Sequence, residues 1–314
     1  MRKLIFLLTI LSLVLILAAC SAQGSTQEQT DATSTGSDLP TATQAVQSPV
    51  ETPEIEAVPD PTNPPADSNG QEIEEPPVPL FAGQPVSFNG VELVIPDALD
   101  SDIPGFVVPG QEGNEFPYWD IFPQHTRLDF QSYPLQDTLL KPQILVFPAQ
   151  EYASLQTVIA DNLVKLNAIL ADPTQPLTYE MLPIHMVNAA RLYVASVKVL
   201  DFQNGQGVRY LTQHAQYFAP ANNQDLFYFF CGLTSDQNYY VIAILPVRTA
   251  MLPDQPEPGF PIDLTGLSDA QIETAVQEYY AGVKDLLEDG SVDLTPELET
   301  LDNMIGSLRI SEQR

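Results

Sequence analysis

The sequence predicts an α+β domain, a mostly antiparallel sheet with helices packed on both faces. Three observations carry this. Two runs of β-formers turn back on themselves around Asn204-Gly205-Gln206-Gly207 and Thr234-Ser235-Asp236-Gln237-Asn238, which is hairpin connectivity and so antiparallel pairing. In the second pair, Leu226 to Cys231 and Tyr239 to Leu245 are almost continuously apolar, as expected of strands buried on both faces. Three further segments carry apolar residues at helical spacing and supply the covering layers.

Structure is expected to begin near Phe81. Pro85 to Ile95 places β-formers on either side of Asn89-Gly90, a pair suited to a type I′ turn. Residues 96–117, rich in Pro, Asp and Gly, read as a long irregular loop. Tyr118, Trp119 and Phe122 follow, then a strand from about His125 to Gln131 and another over residues 143–147.

One helix is expected from Ala149 to Ala171, its stripe formed by Tyr152, Leu155, Val158, Ile159, Leu163, Leu166, Ile169 and Leu170. Pro173 and Pro176 stop it. After an ambiguous stretch come strands over residues 189–201 and 207–218, then 224–233 and 239–247. Ser268 opens a second helix with a Ser-x-x-Gln capping box ending at Gln271; Ile272, Val276, Tyr279, Val283 and Leu286 form its stripe. Thr295 is expected to cap a third, with Pro296 at its first position and Leu298, Leu301, Met304 and Ile305 inward. A short strand, Ser307 to Ile310, ends the chain. Residues 81–314 suffice for one sizeable core and read as a single domain.

The order of elements over residues 81–314 is similar to that of the Mog1/PsbP-type α+β sandwich. It has an amino-terminal hairpin, a Trp soon after, central hairpins, the long apolar strand Tyr239 to Val247, then helix and strand at Met304 to Ile310. The resemblance implies a fold found in some exported lipoproteins, one that hosts binding, scaffold and assembly roles and so fixes no function. The middle helix with its Pro-rich exit and the 96–117 loop depart from the compact form.

The first twenty-one residues, MRKLIFLLTILSLVLILAACS, speak to location. Arg2 and Lys3 precede sixteen residues, Leu4 to Ala19, that are apolar apart from Thr9 and Ser12. That run is short of the ~20 residues of a bilayer-spanning helix and fits a secretory h-region. Leu17-Ala18-Ala19-Cys20-Ser21 resembles the lipobox of bacterial lipoproteins. The resemblance implies removal of residues 1–19, diacylation of the Cys20 thiol and membrane anchoring through its acyl chains. The protein would then face outward from the cell membrane, or sit in an outer membrane where one exists. An uncleaved anchor and an ordinary signal peptide are the alternatives.

Residues 20–80 read as a disordered acidic tether. Residues 21–80 contain no Lys or Arg, eleven Asp or Glu, ten Pro and no aromatic residue, a composition that buries too little apolar surface to offset its ordering entropy. Its reach lies between about 45 Å as a coil and about 190 Å as polyproline. It is a stalk or a linker of unselected length.

The formal charge is −29, with 41 acidic against 12 basic residues. This argues against nucleic acid as a partner, whose binders need clustered Lys and Arg, and against docking on anionic headgroups. With Cys20 acylated, Cys231 has no disulfide partner in its own chain, and its apolar surroundings make it a small core residue.

Little in the sequence points to a reaction. His125, His185 and His214 fall on separate elements, with no HExxH and no metal-ligand spacing. GxSxG, Ser-x-x-Lys and phosphate-binding Gly loops are missing. Asp97, Asp100 and Asp102 offer a weak outward Ca²⁺ site or a solvated acidic loop, and without EF-hand spacing the second reading is preferred. No cofactor and no metal are expected. The remaining candidate is aromatic: Tyr118, Trp119, Phe122 and His125, with Arg127 nearby, form a ligand or partner surface, or Trp119 plugs the core at a sheet edge.

The reading is a non-enzymatic, membrane-anchored lipoprotein whose domain binds a small ligand or an envelope protein. Its rivals are a solute-capturing lipoprotein of a transporter, which would show two α/β lobes, and a hydrolase with an unrecognised site.

Overall fold

In the computed structural model, residues 81–99, 102–256 and 259–313 are described. The predicted leader, Cys20, the tether and Asp100 lie outside them. The first hairpin is set by two residues: Asn89 and Gly90 have φ of 45° and 80°, the sense of a type I′ turn, whose twist matches that of the strands. It joins β1 (Gly83–Phe88) to β2 (Val91–Pro96). Only glycine fits at position 90, because a Cβ there would stand 2.7 Å from the Glu312 carbonyl oxygen.

The chain then runs through β3 (Gly105–Val108), β4 (His125–Asp129) and β5 (Gln143–Pro148). Helices α1 (Ala149–Leu155) and α2 (Thr157–Ala171) follow. Next come β6 (Ala190–Arg191), β7 (Ala195–Phe202), β8 (Gly205–Thr212) and β9 (His214–Ala215). The long hairpin is β10 (Phe227–Thr234) and β11 (Tyr239–Pro246), with β12 (Arg248–Thr249) after it. α3 (Asp269–Glu288), β13 (Leu294–Thr295), α4 (Leu298–Gly306) and β14 (Arg309–Ile310) complete the order.

The fold is mixed α+β, with a mostly antiparallel sheet. Seven strands pair in the order β3-β4-β5-β11-β10-β8-β7, and β1-β2-β14 form a smaller sheet. All eight residues of β10 are buried, as the unbroken apolar run predicts, and they divide by parity. Phe227, Phe229, Cys231 and Leu233 share an apolar cluster with Tyr152 of α1 and Ile159, Leu163, Leu166 and Ile169 of α2. Tyr228 and Phe230 belong to a second cluster with Val276, Tyr280, Val283 and Leu287 of α3, Leu301, Met304 and Ile305 of α4, and Val91, Leu93 and Ile95 of the hairpin. Each such buried side chain contributes roughly 1.5–3 kcal/mol relative to leaving it exposed.

Several expected elements are corrected. The 96–117 loop contains a strand, β3, paired with β4 so that Phe106 faces Arg127. Gly105 allows this, since a Cβ there would lie 2.2 Å from the Phe88 ring. The 149–171 helix breaks at Gln156, whose φ of −136° and ψ of 113° are extended; its side-chain amide is held by the carbonyls of Tyr118 and Ile121, the latter at 3.3 Å.

The strand expected over 189–201 is divided into β6 and β7 at residues 192–194, and β7 itself carries a bulge between Ala195 and Lys198, where Ser196 has a φ of 52°. Gly207, expected at the junction of the turn and the 207–218 strand, lies inside β8 opposite Gly232, because the strand begins already at Gly205. The two bare positions make room for the Phe230 and Phe202 rings, which a Cβ would meet within 3 Å. Thr295 caps no helix: it pairs with Arg248 in a two-stranded ladder, and Glu297 precedes α4. The capping box at Ser268 and Gln271 forms as expected.

Candidate functional site

The aromatic residues singled out in the sequence fall into two pairs. Tyr118 and Trp119 share a single 3₁₀ turn, their rings edge to face at 5.0 Å. Tyr118 is exposed and Trp119 half-buried, and Trp119 is a member of neither apolar cluster. Phe122 meets His125 edge to face at 5.1 Å, and His125 tilts over Phe147 at 4.3 Å.

His125 is buried, and its Nδ1 lies 3.0 Å from the Pro123 carbonyl oxygen. Burial holds its pKa below the ordinary value; the Pro123 contact opposes this, and Arg127 adds to it. Arg127 pairs with Asp129 at 2.9 Å and stands 5.2 Å from the Phe106 ring. His125 lines a pocket of about 380 Å³ with Asn89, Asn238 and Tyr239, but the other four predicted residues do not.

A larger groove lies elsewhere, at the β7 edge of the main sheet. It encloses about 1020 Å³, at the upper end of the range for small-molecule sites. One wall is α3, with Ile272, Val276 and Tyr280. The other is the segment leaving α2, with Leu177, Tyr179 and Leu182. The floor is Leu192, Tyr193, Val194 and Val197. Phe218 also lines it, and its charged residues are Arg191, Lys284, Glu180, Asp269 and Glu273.

Local chemistry explains each wall. Asn162 interrupts the apolar stripe of α2, and its side chain acts as a strand partner for the next segment. Its Nδ2 donates to the Ile184 carbonyl at 2.7 Å, and its Oδ1 accepts the Ile184 N–H at 2.9 Å. The bulge at Ser196 is tied to the end of α3: its N–H donates to Glu288 at 3.1 Å and its hydroxyl to the Leu287 carbonyl at 3.0 Å. Bulges on edge strands re-aim side chains, and this one sits in the floor. Tyr280 donates to the Ala219 carbonyl at 2.9 Å, and burial raises its pKa above the ordinary tyrosine value.

Arg191 is the unusual polar group. It is buried, with Nη1 donating to the Pro183 carbonyl at 2.9 Å, the Tyr210 hydroxyl at 3.2 Å and the Leu182 carbonyl at 3.3 Å. Nη2 donates to the Tyr179 carbonyl, while Nε is buried without a partner. The guanidinium lies 4.1 Å from the Tyr179 ring and 5.3 Å from that of Tyr210.

The other buried arginine, Arg209, is matched by Asp302 at 3.1 Å. Arg191 has no carboxylate within ion-pair distance among the described residues; carbonyl dipoles, the Tyr210 hydroxyl and ring faces offset its charge at contact distance, and Glu180 acts on it only from further away. Glu180, on the exposed rim, has its pKa lowered first by its own backbone amide and the Thr178 hydroxyl, and further by Arg191.

Behind the groove the fold brings together two histidines that the sequence separates. His185 and His214 stack with ring centroids 6.1 Å apart, and His214 is the cross-strand neighbour of Arg191. Burial lowers His185 to about 4 and, aided by His185 and Arg191, His214 to about 3. Cys231 is wholly buried, its thiol pushed up to about 12 by desolvation. Asp97 and Asp102 are exposed. No group of three or more His, Cys, Asp or Glu among the described residues could hold a metal ion, and no described helix is long and apolar enough to cross a membrane.

Sequence reasoning missed the groove because one of its walls comes from residues 172–188, which it left unassigned. Two signals were legible: a polar Asn162 on an apolar stripe, and Arg191 in a stretch with no acid beside it. The chain matches no family model, no curated protein and no solved structure.

Proposed function

We propose that this protein is a lipid-anchored, extracytoplasmic lipoprotein whose domain binds a small, largely apolar ligand in the groove at the β7 edge, without catalysing a reaction. The observation that carries the reading is the groove itself: about 1020 Å³ walled mainly by aromatic and aliphatic side chains, with Arg191, Lys284, Glu180, Asp269 and Glu273 as its charged residues. Its lining includes no Ser, Cys or His, which favours binding over hydrolysis. The single seven-stranded antiparallel sheet likewise favours a one-domain binder over a two-lobed solute-capturing protein. The surface at Tyr118, Trp119, Phe122, His125 and Arg127 ranks below the groove, since its aromatic residues fall into two separate pairs.

In this reading residues 1–19 are a cleaved leader, acyl chains on Cys20 hold the protein in the membrane, and residues 20–80 are the stalk of a domain spanning 81–314. The domain is a sandwich of the Mog1/PsbP type with helices on both faces. The parity of β10 and the two helix-containing clusters support that architecture.

Two experiments test the proposal. Cys20→Ala should release the protein or leave an uncleaved precursor, and a variant processed and retained like the parent refutes the anchor. Thermal shift against lipids, sugars, peptides and ions should find apolar compounds that stabilise the parent but not Ile272→Trp, whose partly exposed position lines the groove. Equal stabilisation of both proteins refutes the site.

A further inference from the structure

We infer that the ligand of the groove is an amphiphile with a carboxylate head group, received by Arg191 while its tail lies along the apolar walls. This rests on the groove being the ligand site and adds the chemical class. The chain has 41 acidic and 12 basic residues, so a buried arginine should readily find a carboxylate. Arg209 does, in Asp302 at 3.1 Å. Arg191 does not, and it lines the groove.

Its donors are unevenly used. Nη1 is saturated by three acceptors, whereas the edge formed by Nε and Nη2 has a single one, the Tyr179 carbonyl. That edge is the fork that binds a carboxylate through two parallel hydrogen bonds. Its orphaned Nε carries a desolvation cost that an incoming anion removes.

Tyr179, 42% exposed and stacked on the guanidinium, is the side chain that a head group would displace. Glu180, Asp269 and Glu273 also line the groove. They disfavour an anion outside it and give a cationic amphiphile its competing claim. Lys284 adds little to the anion's side, being paired with Glu288.

The test compares head groups on one tail. The chain from residue 20 onward, carrying Cys20→Ser so that no acyl chain competes, is titrated with octanoate, octanol and octyltrimethylammonium by calorimetry. Octanoate is expected to bind at least about tenfold tighter than the other two, the worth of one charge-assisted hydrogen bond. Arg191→Gln should erase that preference while leaving octanol binding in place. If Arg191→Gln does not fold, the comparison on the parent decides alone. Equal binding of octanoate and octanol, tighter binding of the ammonium, or a preference that survives in Arg191→Gln overturns the head-group inference and leaves the groove standing. If none of the three binds, both the inference and the groove reading fail.

Discussion

The guanidinium of Arg191 lies 4.1 Å from the ring of Tyr179, and the two residues are bonded twice more through their backbones. Arg191 donates to the Tyr179 carbonyl, and the Tyr179 hydroxyl donates to the Arg191 carbonyl. One pair of residues thus fastens the 177–182 wall of the groove to β6.

Truncation should separate the parts of this clasp. Tyr179→Phe removes only the hydroxyl and should cost about 0.5–1.5 kcal/mol. Tyr179→Ala also removes the ring beneath the cation and should cost about 1 kcal/mol more. Urea midpoints measure both, and amide exchange should quicken in residues 177–184 before it does in β10. Exchange that quickens uniformly would mean that the clasp is not local.

Asp302 is the corresponding anchor of α4. Arg209 at 3.1 Å, Lys198 at 2.9 Å and the Tyr228 hydroxyl at 3.1 Å converge on its carboxylate. Asp302→Ala leaves Arg209 buried and unmatched and should cost about 3–5 kcal/mol. Lys198 is half exposed, so Lys198→Ala should cost less than about 1 kcal/mol. Comparable losses from the two variants in chemical denaturation would contradict this ranking.

These two arginines also show where sequence reading stops. The strands around them follow from alternation, apolar runs and turn residues, all local, and β8, β10 and β11 were legible for that reason. Whether an arginine meets an acid is decided by residues far apart in the chain: Asp302 reaches Arg209 only after α4 docks, and Tyr179 reaches Arg191 only after the α2 exit folds back. The bulge at Ser196 and the break at Gln156 are likewise tertiary. Gln156 fits an unbroken helix by propensity, and the carbonyls of Tyr118 and Ile121 draw its side chain out of one. The groove is built from such long-range contacts, so the hydrophobic pattern that revealed the sheet did not reveal it.

Gly207 should tolerate no side chain. A Cβ there would stand 2.4 Å from the Cys231 carbonyl oxygen and 2.5 Å from the Phe230 ring. The first neighbour is backbone of the central strand and cannot move aside. Gly207→Ala should therefore cost about 3 kcal/mol or more through overpacking, read from the thermal midpoint. Gly282→Ala, where a Cβ meets nothing within 4 Å, serves as the control and should be neutral or stabilising in its helix. Similar midpoints for the two variants would place Gly207 outside the packed sheet.

The stacked histidines predict the response to acid. His185 at about 4 and His214 at about 3 both lie below the ordinary 6.5, because burial disfavours their charged forms. As pH falls below 6.5 the unfolded chain takes up protons that the folded chain refuses, so stability falls. Each histidine contributes about 1.4 kcal/mol per pH unit, with the full effect reached near its folded value. Between pH 6.5 and 5 the pair should remove about 3 kcal/mol, since the unfolded rings are already half protonated at 6.5, and His125, also held below its ordinary value, acts in the same sense. Urea denaturation at several pH values should show the slope, and His185→Gln and His214→Gln should each remove a share of it, whatever their effect at pH 7. A parent whose stability is flat from pH 7 to 5, or variants that keep the full slope, would show that these rings are not held neutral by burial.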